Sequence, residues 1–444
     1  MGADVVIIGA GPSGLAAAAM LAEAGRQVQV IARGHGFTHW AAGGIDVLGR
    51  LPAGDEAGAG EPVERPLEAL GRLPDGHPYS LVGEGALLAG IGHVRALTDR
   101  AGIELVGDPA VNRSQITGIG TRRTTALLQT QGDGALAGRV AAIGFAGFED
   151  FSSQLCADRL HRVGLDAVPI EIPLPQGFRG RHVNAVELAR AFDGREFRGA
   201  VAGTLGRAAA GVDVCVVPAV IGLANAAEAW ADLQELAGLR VVEAALPPPS
   251  IPGLRLFDAW RERLSELGVG WRLGLPAIGA ERDGDRVTAV LGEGASGPVR
   301  IPCDEVVLAT GGVAGGGIET YRDGTLAETM LGLPIDGFAH RTEFLAADFF
   351  GSHRLAQAGV RVNRELRPVD RAGAPVLGNV RVIGTQLAGH DPTAEGSREG
   401  VGLATAARAA ELLAGPEQEA RSLPSLSSRV TVNNSSRLTR MWSS

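Results

Sequence analysis

Residues 5–14 read VVIIGAGPSG, a run of apolar residues that breaks into glycine, proline and serine without a single charge. Asp4 to Gly9 fits a buried strand of a parallel sheet, Leu15 to Ala24 an alanine-rich helix stopped by Gly25, and Gln27 to Ala32 a second strand. The 18 uncharged residues from Val5 to Ala22 are also long enough to be tested as a membrane span. Gly9, Gly11, Pro12, Ser13 and Gly14 interrupt them in the middle, so strand, tight turn and helix is the better reading. The rest of the chain has to fold around this opening βαβ unit.

Within that unit, Gly9, Gly11 and Gly14 fit G-x-G-x-x-G at a strand-to-helix junction. The first glycine permits the turn, the second lets a phosphate approach the backbone, and the third lets helix and strand pack closely. The helix N-terminus favours the anion. A second glycine end follows a buried strand in "EVVLATGG", where Thr310, Gly311 and Gly312 would reach the same edge of the sheet. Backbone without bulky side chains is what a flat, extended ligand needs there. The acidic residue that usually receives an adenosine ribose at the end of the second strand is missing, and Arg33 stands near its place. Three readings remain open: an adenosine held differently, a mononucleotide such as FMN with Arg33 near its phosphate, or a solvated strand-end charge.

With 444 residues the chain has room for two or three domains. A net charge of -9 gives no electrostatic reason to approach nucleic acid or an anionic membrane. All 41 basic residues are arginine, which excludes a Schiff-base lysine and a Walker-type phosphate lysine. Cys156, Cys215 and Cys303 are widely separated, so no metal or iron–sulfur site is expected from this chain, and the low count fits a reducing compartment. The first residues enter a strand directly, so no secretory signal is expected.

Further along, a helix is expected over Leu87 to Ala101, strands over Thr117 to Thr130, Arg139 to Phe145 and Val212 to Val217, and helices over Ala185 to Phe192, Leu254 to Leu267 and Gly400 to Leu413. The fold class is α/β: a discontinuous Rossmann-like flavin/nucleotide-binding domain with an inserted mixed α/β domain. Residues 1–55 and 280–415 are assigned to the first, 56–279 to the second, with room for some of its elements to be shared with the nucleotide domain, and 416–444 to a mobile serine-rich tail.

The A-T-G-G segment resembles that of two-dinucleotide-binding-domain flavoproteins, where it lies beside the flavin nucleotide. "AAGGID", with Gly43 and Gly44, is similar to an A-x-G-G-I segment beside the isoalloxazine ring in the fumarate-reductase-like group. The histidine that links covalently to the flavin in that group would fall on Phe37, so a non-covalent flavin is implied. Nearly the whole chain up to the tail resembles the B subunits of anaerobic glycerol-3-phosphate dehydrogenases. The matching landmarks, in order, include Arg33-Gly34, His39, "GIGTRRTTAL", "GFAGFEDF", "LPPPSIPGLRL", "LATGGVAGGGI", the "DFF" at Asp348 and "AGHDPTAEG".

The resemblance implies an FMN-binding flavoprotein, with FAD as the alternative, that helps oxidise sn-glycerol 3-phosphate to dihydroxyacetone phosphate. Electrons would pass toward quinone through an A subunit, which is the catalytic flavin protein, and a C subunit, which is iron–sulfur and membrane-associated. The chain would be cytoplasmic, or peripheral at the inner face of the membrane through these partners. His39 is the candidate base for the hydroxyl proton, or a histidine packed beside Trp40 or hydrogen-bonded to backbone. Arg123 is a candidate phosphate ligand or a contact between subunits, or an ordinary strand-edge ion pair. Asp391 either accepts from ribityl hydroxyls or forms a turn before Pro392. Related flavoproteins carry an acid after the glycine matching Gly384, where Thr385 stands here, and Arg398 and Glu399 depart from the family pattern at the last helix. His340, His353 and His390 are too scattered to suggest a metal. The other readings are a stand-alone flavin oxidoreductase and a flavin-less structural subunit.

Overall fold

The computed structural model describes residues 3–52, 60–134, 136–336, 343–348 and 353–414. His340 and the tail over 416–444 lie outside the described residues. Five parallel strands form the main sheet in the order Gly270–Leu273, Val28–Ala32, Ala3–Ile8, Gly297–Leu308 and Val380–Val382. Apolar runs such as VVII and VVL suit strands buried on both faces. Val5, Val6, Ile7, Val306, Val307 and Leu308 are fully buried.

The register sets the site. Ile8 lies opposite both Ile31 and Leu308, and Leu308 opposite Val382, so the strands end together and hand their following turns to one edge. The strand Gly297–Leu308 is long enough to do two jobs. Its first half pairs antiparallel with Arg286–Gly294, which pairs antiparallel with Ala277–Asp283.

Helices Pro12–Glu23, Pro78–Arg100 and Arg398–Leu413 pack together beside this sheet. Small residues make the approach close: Ala16 to Ala19 are fully buried, and a Cβ on Gly90 would lie 2.5 Å from the Leu403 carbonyl oxygen. Pro78–Arg100 begins nine residues earlier than its hydrophobic pattern suggests, because His77 caps it by accepting from the Tyr79 N–H at 3.1 Å. Glycines in its first half dilute the apolar stripe. Gly83, with φ 83, leaves helical geometry there.

A second sheet is wholly parallel, in the order Arg240–Ala244, Val214–Pro218, Arg139–Phe145, Asp166–Ile172. Helices Ser153–Arg162, Arg195–Ala208 and Ala226–Ala237 supply its crossovers, as parallel pairing requires. It has its own core, including Val140, Ile143, Phe192, Cys215 and Val216. The expected strand over Thr117 to Thr130 is broken. Its C-terminal part forms two short strands, Arg122–Thr125 and Leu127–Gln129, after a turn at Gly118 and Gly120.

Helix Ile251–Glu266 packs in the first core yet binds the second sheet. Arg255 meets Glu243 at 2.9 and 3.1 Å, donates to the Gly222 carbonyl at 2.7 Å, and reaches Gln129 at 3.2 Å; both ions of the pair are almost fully buried. The thiols of Cys156 and Cys215 are pushed up to about 12 by burial, and that of Cys303 to about 11, which makes them packing groups at neutral pH. Among the described residues no helix is long and apolar enough to cross a membrane.

Candidate functional site

At the shared strand edge, the Ala309 N–H donates to the Ile8 carbonyl at 2.8 Å and the Gly9 N–H to that of Ile31 at 2.9 Å. Gly9 has φ 122, and a Cβ there would meet the Ala309 oxygen at 2.2 Å. A Cβ on Gly14 would lie 2.1 Å from the Gly9 oxygen. Gly11 is different. A Cβ there would meet nothing within 4 Å, and the helix that it caps has no side-chain cap hydrogen bond. Two of the three glycines let backbone meet backbone, and the middle one faces open space.

That space is a cavity of about 540 Å³, lined by Gly9 and Gly11, the strand-end Arg33, Thr310 and Gly311, and shared at its rim by Trp40 and Arg398. Arg33 is exposed, and its side chain makes no hydrogen bond or ion pair with the described residues. Thr310 Oγ1 is buried with no hydrogen-bond partner. Gly312 supports the wall without lining it, since a Cβ there would meet the Thr385 oxygen at 2.7 Å. Gly384 does likewise: its φ of 70 turns the chain against Ser13 Oγ, and its N–H donates to Thr405 Oγ1 at 3.0 Å.

The remaining expected site residues go elsewhere. A Cβ on Gly43 would meet Pro252 Cβ at 2.3 Å, and one on Gly44 the Leu127 oxygen at 2.7 Å, so these glycines make room for protein and do not line the cavity. His39 is stacked on His35 at 4.3 Å and edge-on to Phe257 at 4.4 Å. Its Nε2 is buried without a partner, and burial first, then His35, lowers its pKa below the ordinary value. It is set behind the cavity wall. Asp391 is a turn former: Oδ1 accepts from the N–H groups of Thr393 at 3.0 Å and Ala394 at 2.9 Å. His390 is buried behind it, and burial depresses its pKa to about 4. His353 Nδ1 accepts from the Ala346 N–H at 3.1 Å.

Arg123 is paired. It donates to Gln115 Oε1 at 2.8 Å and forms an ion pair with Asp46 Oδ2. It lines a second cavity of about 480 Å³ that shares Trp40 and Arg398 with the first. Also at this cavity are Asp46, whose Oδ1 is buried without a partner, and Glu399, which is 8% exposed. Burial first, then the neighbouring Asp46, pushes the Glu399 carboxyl up to about 7. Trp40, Arg398 and Glu399 did not stand out as site residues in the sequence. The only signal was the pair of charges at the start of the last helix.

A glycine turn, an uncapped helix start and an orphan hydroxyl at the carboxyl edge of a parallel sheet define a nucleotide-cofactor protein. The FAD binding domain family matches residues 4–401. The B subunit of the anaerobic glycerol-3-phosphate dehydrogenase of Yersinia pestis is 33% identical over 92% of this chain and 97% of its own length. The Pectobacterium carotovorum protein of the same name is 32% identical over 92% and 97%. The probable B subunit of the Halobacterium salinarum anaerobic glycerol-3-phosphate dehydrogenase is 32% identical over 90% and 95%. The chain belongs to the FAD-binding domain family and, within it, to the B subunits of anaerobic glycerol-3-phosphate dehydrogenases.

The first cavity fits a flavin nucleotide on observations of its own. Gly11 leaves room beside an uncapped helix start for a phosphate, and the orphan Thr310 hydroxyl has a hydrogen bond to give.

Proposed function

We propose that the chain is the flavin-carrying B subunit of a respiratory glycerol-3-phosphate dehydrogenase. It takes part in oxidising sn-glycerol 3-phosphate to dihydroxyacetone phosphate and passes electrons toward quinone. Its partners are an A subunit with a flavin and a C subunit with iron–sulfur clusters, and through them it sits at the inner face of the membrane. The observation that carries this reading is the open backbone at Gly11 beside the unpartnered Thr310 hydroxyl.

The Gly9–Gly14 turn and the start of helix Pro12–Glu23 hold the phosphate, Arg33 neutralises it, and Thr310 bonds the nucleotide. When bound, the flavin supplies a two-electron acceptor for the hydride of a secondary alcohol. The protein's own task is to hold the alcohol and take its proton. His39, held by His35 and Phe257 away from the cavity, is poorly placed for that task.

The family description favours FAD. FMN is the second reading, supported by Arg33 standing where an adenosine ribose would need an acid. The function is tested by adding sn-glycerol 3-phosphate anaerobically to the complex assembled with its partners. Bleaching of this chain's flavin absorbance is expected; an active complex in which this flavin stays oxidised would contradict the reading.

A further inference from the structure

We infer that the second cavity is a pocket for a small phosphorylated alcohol, with Arg122 and Arg398 holding the phosphate and Glu399 accepting the hydroxyl proton. This rests on the flavin reading above, because the cavity shares Trp40 and Arg398 with the proposed flavin site. Trp40 and Arg398 line both cavities.

Four arginines line the pocket, and two of them are committed. Arg50 donates to the Gly60 carbonyl at 2.9 Å, and Arg123 is held by Asp46 and Gln115. Arg122 is exposed, and its side chain makes no hydrogen bond or ion pair with the described residues. Arg398 lies over the Phe37 ring at 4.6 Å and spends one Nη on Thr393 at 2.9 Å, which leaves further N–H groups. Free guanidinium groups facing a cavity suit a phosphate, which accepts paired N–H bonds.

The acidic side of the pocket is of a different kind. Glu399 is more than nine-tenths buried, and its carboxyl makes no hydrogen bond or ion pair with another side chain. Facing it are Asp46 from the opening loop, Arg123 from strand Arg122–Thr125, Arg398 on its own helix, and Tyr79 from helix Pro78–Arg100. Tyr79 is occupied, donating to the Val47 carbonyl at 2.6 Å. Glu395, also at this cavity, is engaged by His77 Nε2 at 3.1 Å, Ser397 Oγ at 3.1 Å and the Asp391 N–H at 2.8 Å. Burial and the neighbouring, partly buried Asp46 carboxylate both disfavour the charged form of Glu399, so Glu399 both accepts and returns a proton near neutrality. The carbinol O–H would break with its proton going to the Glu399 carboxylate and its electron pair closing the carbonyl, and a flavin bound in the neighbouring cavity would supply the two-electron acceptor for the hydride that leaves carbon.

The test uses the full chain, alone for binding and in the complete complex for turnover, as wild type, Arg122→Ala and Glu399→Gln. Calorimetry with sn-glycerol 3-phosphate and with inorganic phosphate should show affinity falling at least about tenfold in Arg122→Ala. Glu399→Gln, a mimic of the protonated acid, should bind within about threefold of wild type. Its kcat should fall about 100-fold or more, and the rise in rate with pH near neutrality should vanish. Flavin content, read from absorbance, should be the same in all three. A chain that carries flavin but binds neither probe, or a Glu399→Gln complex with wild-type rate and pH profile, overturns the pocket and leaves the flavin reading intact. A chain without flavin overturns both.

Discussion

Gly36 lies against the backbone of Gly11: a Cβ on Gly36 would come 2.3 Å from Gly11 Cα and 2.5 Å from its nitrogen. Viewed from Gly11 the direction of a Cβ is open, with nothing within 4 Å. The two glycines therefore predict different variants. Gly36→Ala forces backbone apart and should cost about 1–3 kcal/mol, seen as a lowered melting temperature. Gly11→Ala should melt within about 0.5 kcal/mol of wild type and lose flavin, because its methyl fills the space left for phosphate.

Arg255 and Glu243 predict a second pair of outcomes. Each is buried, and together they join a helix of the first core to a strand of the second. Glu243→Gln leaves a guanidinium buried without its counter-ion and should cost about 3–5 kcal/mol in denaturant titration. Replacing both with apolar residues of similar volume should recover only part of that loss, because the Ile221 and Gly222 carbonyls that Arg255 bonds and the Ile221 N–H that Glu243 accepts from are then buried without partners. A single variant as stable as wild type would show that water reaches the junction.

For His39 the prediction is structural. Its ring contacts with His35 and Phe257 are worth about 1 kcal/mol together. His39→Gln should lose about that much stability, keep its flavin, and reduce with substrate within a few-fold of wild type. Strongly slowed reduction would return His39 to the chemistry and weaken the case for Glu399.

His390 sets an acid limit. Burial holds its pKa at about 4, with Glu395 opposing and His77 reinforcing that shift, against 6.5 for a free imidazole. A depressed base contributes stability that is present above 6.5 and is lost as pH falls toward 4, because only the unfolded chain takes up the proton. At about 1.4 kcal/mol per pH unit, the loss over the window reaches about 3 kcal/mol. Melts of wild type and His390→Gln from pH 7.5 to 4.5 should show a shallower slope in the variant; parallel slopes would contradict this.

The sheet edge was the most legible part of the chain. VVII and the VVL of residues 306–308 are uniformly apolar, each is followed within three residues by glycine, and strands of that kind end at the same edge of a parallel sheet; Ile8 and Leu308 stand side by side there. The glycines of AAGGID carried less information. A glycine pair reports that something comes close, but not what, and the neighbours are Pro252 and Leu127, far off in sequence. Strand Gly270–Leu273 was hidden because an edge strand with half its residues exposed has no apolar run. In the sequence Glu399 stood out only as one of two charges that depart from the family pattern at the entrance to the last helix. Only the fold puts Asp46 beside it, through the Gly400 N–H that donates to the Asp46 carbonyl at 2.9 Å.

The central claim is that the open backbone at Gly11 holds a flavin nucleotide. It is tested most directly by acid release and mass analysis of the cofactor from purified wild-type and Gly11→Ala chains, with melting curves of both. The expected result is about one flavin per wild-type chain, identified as FAD or FMN by its mass, and little or none on a variant that melts like wild type. A colourless wild-type chain that takes up no added flavin, or a variant that keeps its full share, would contradict it.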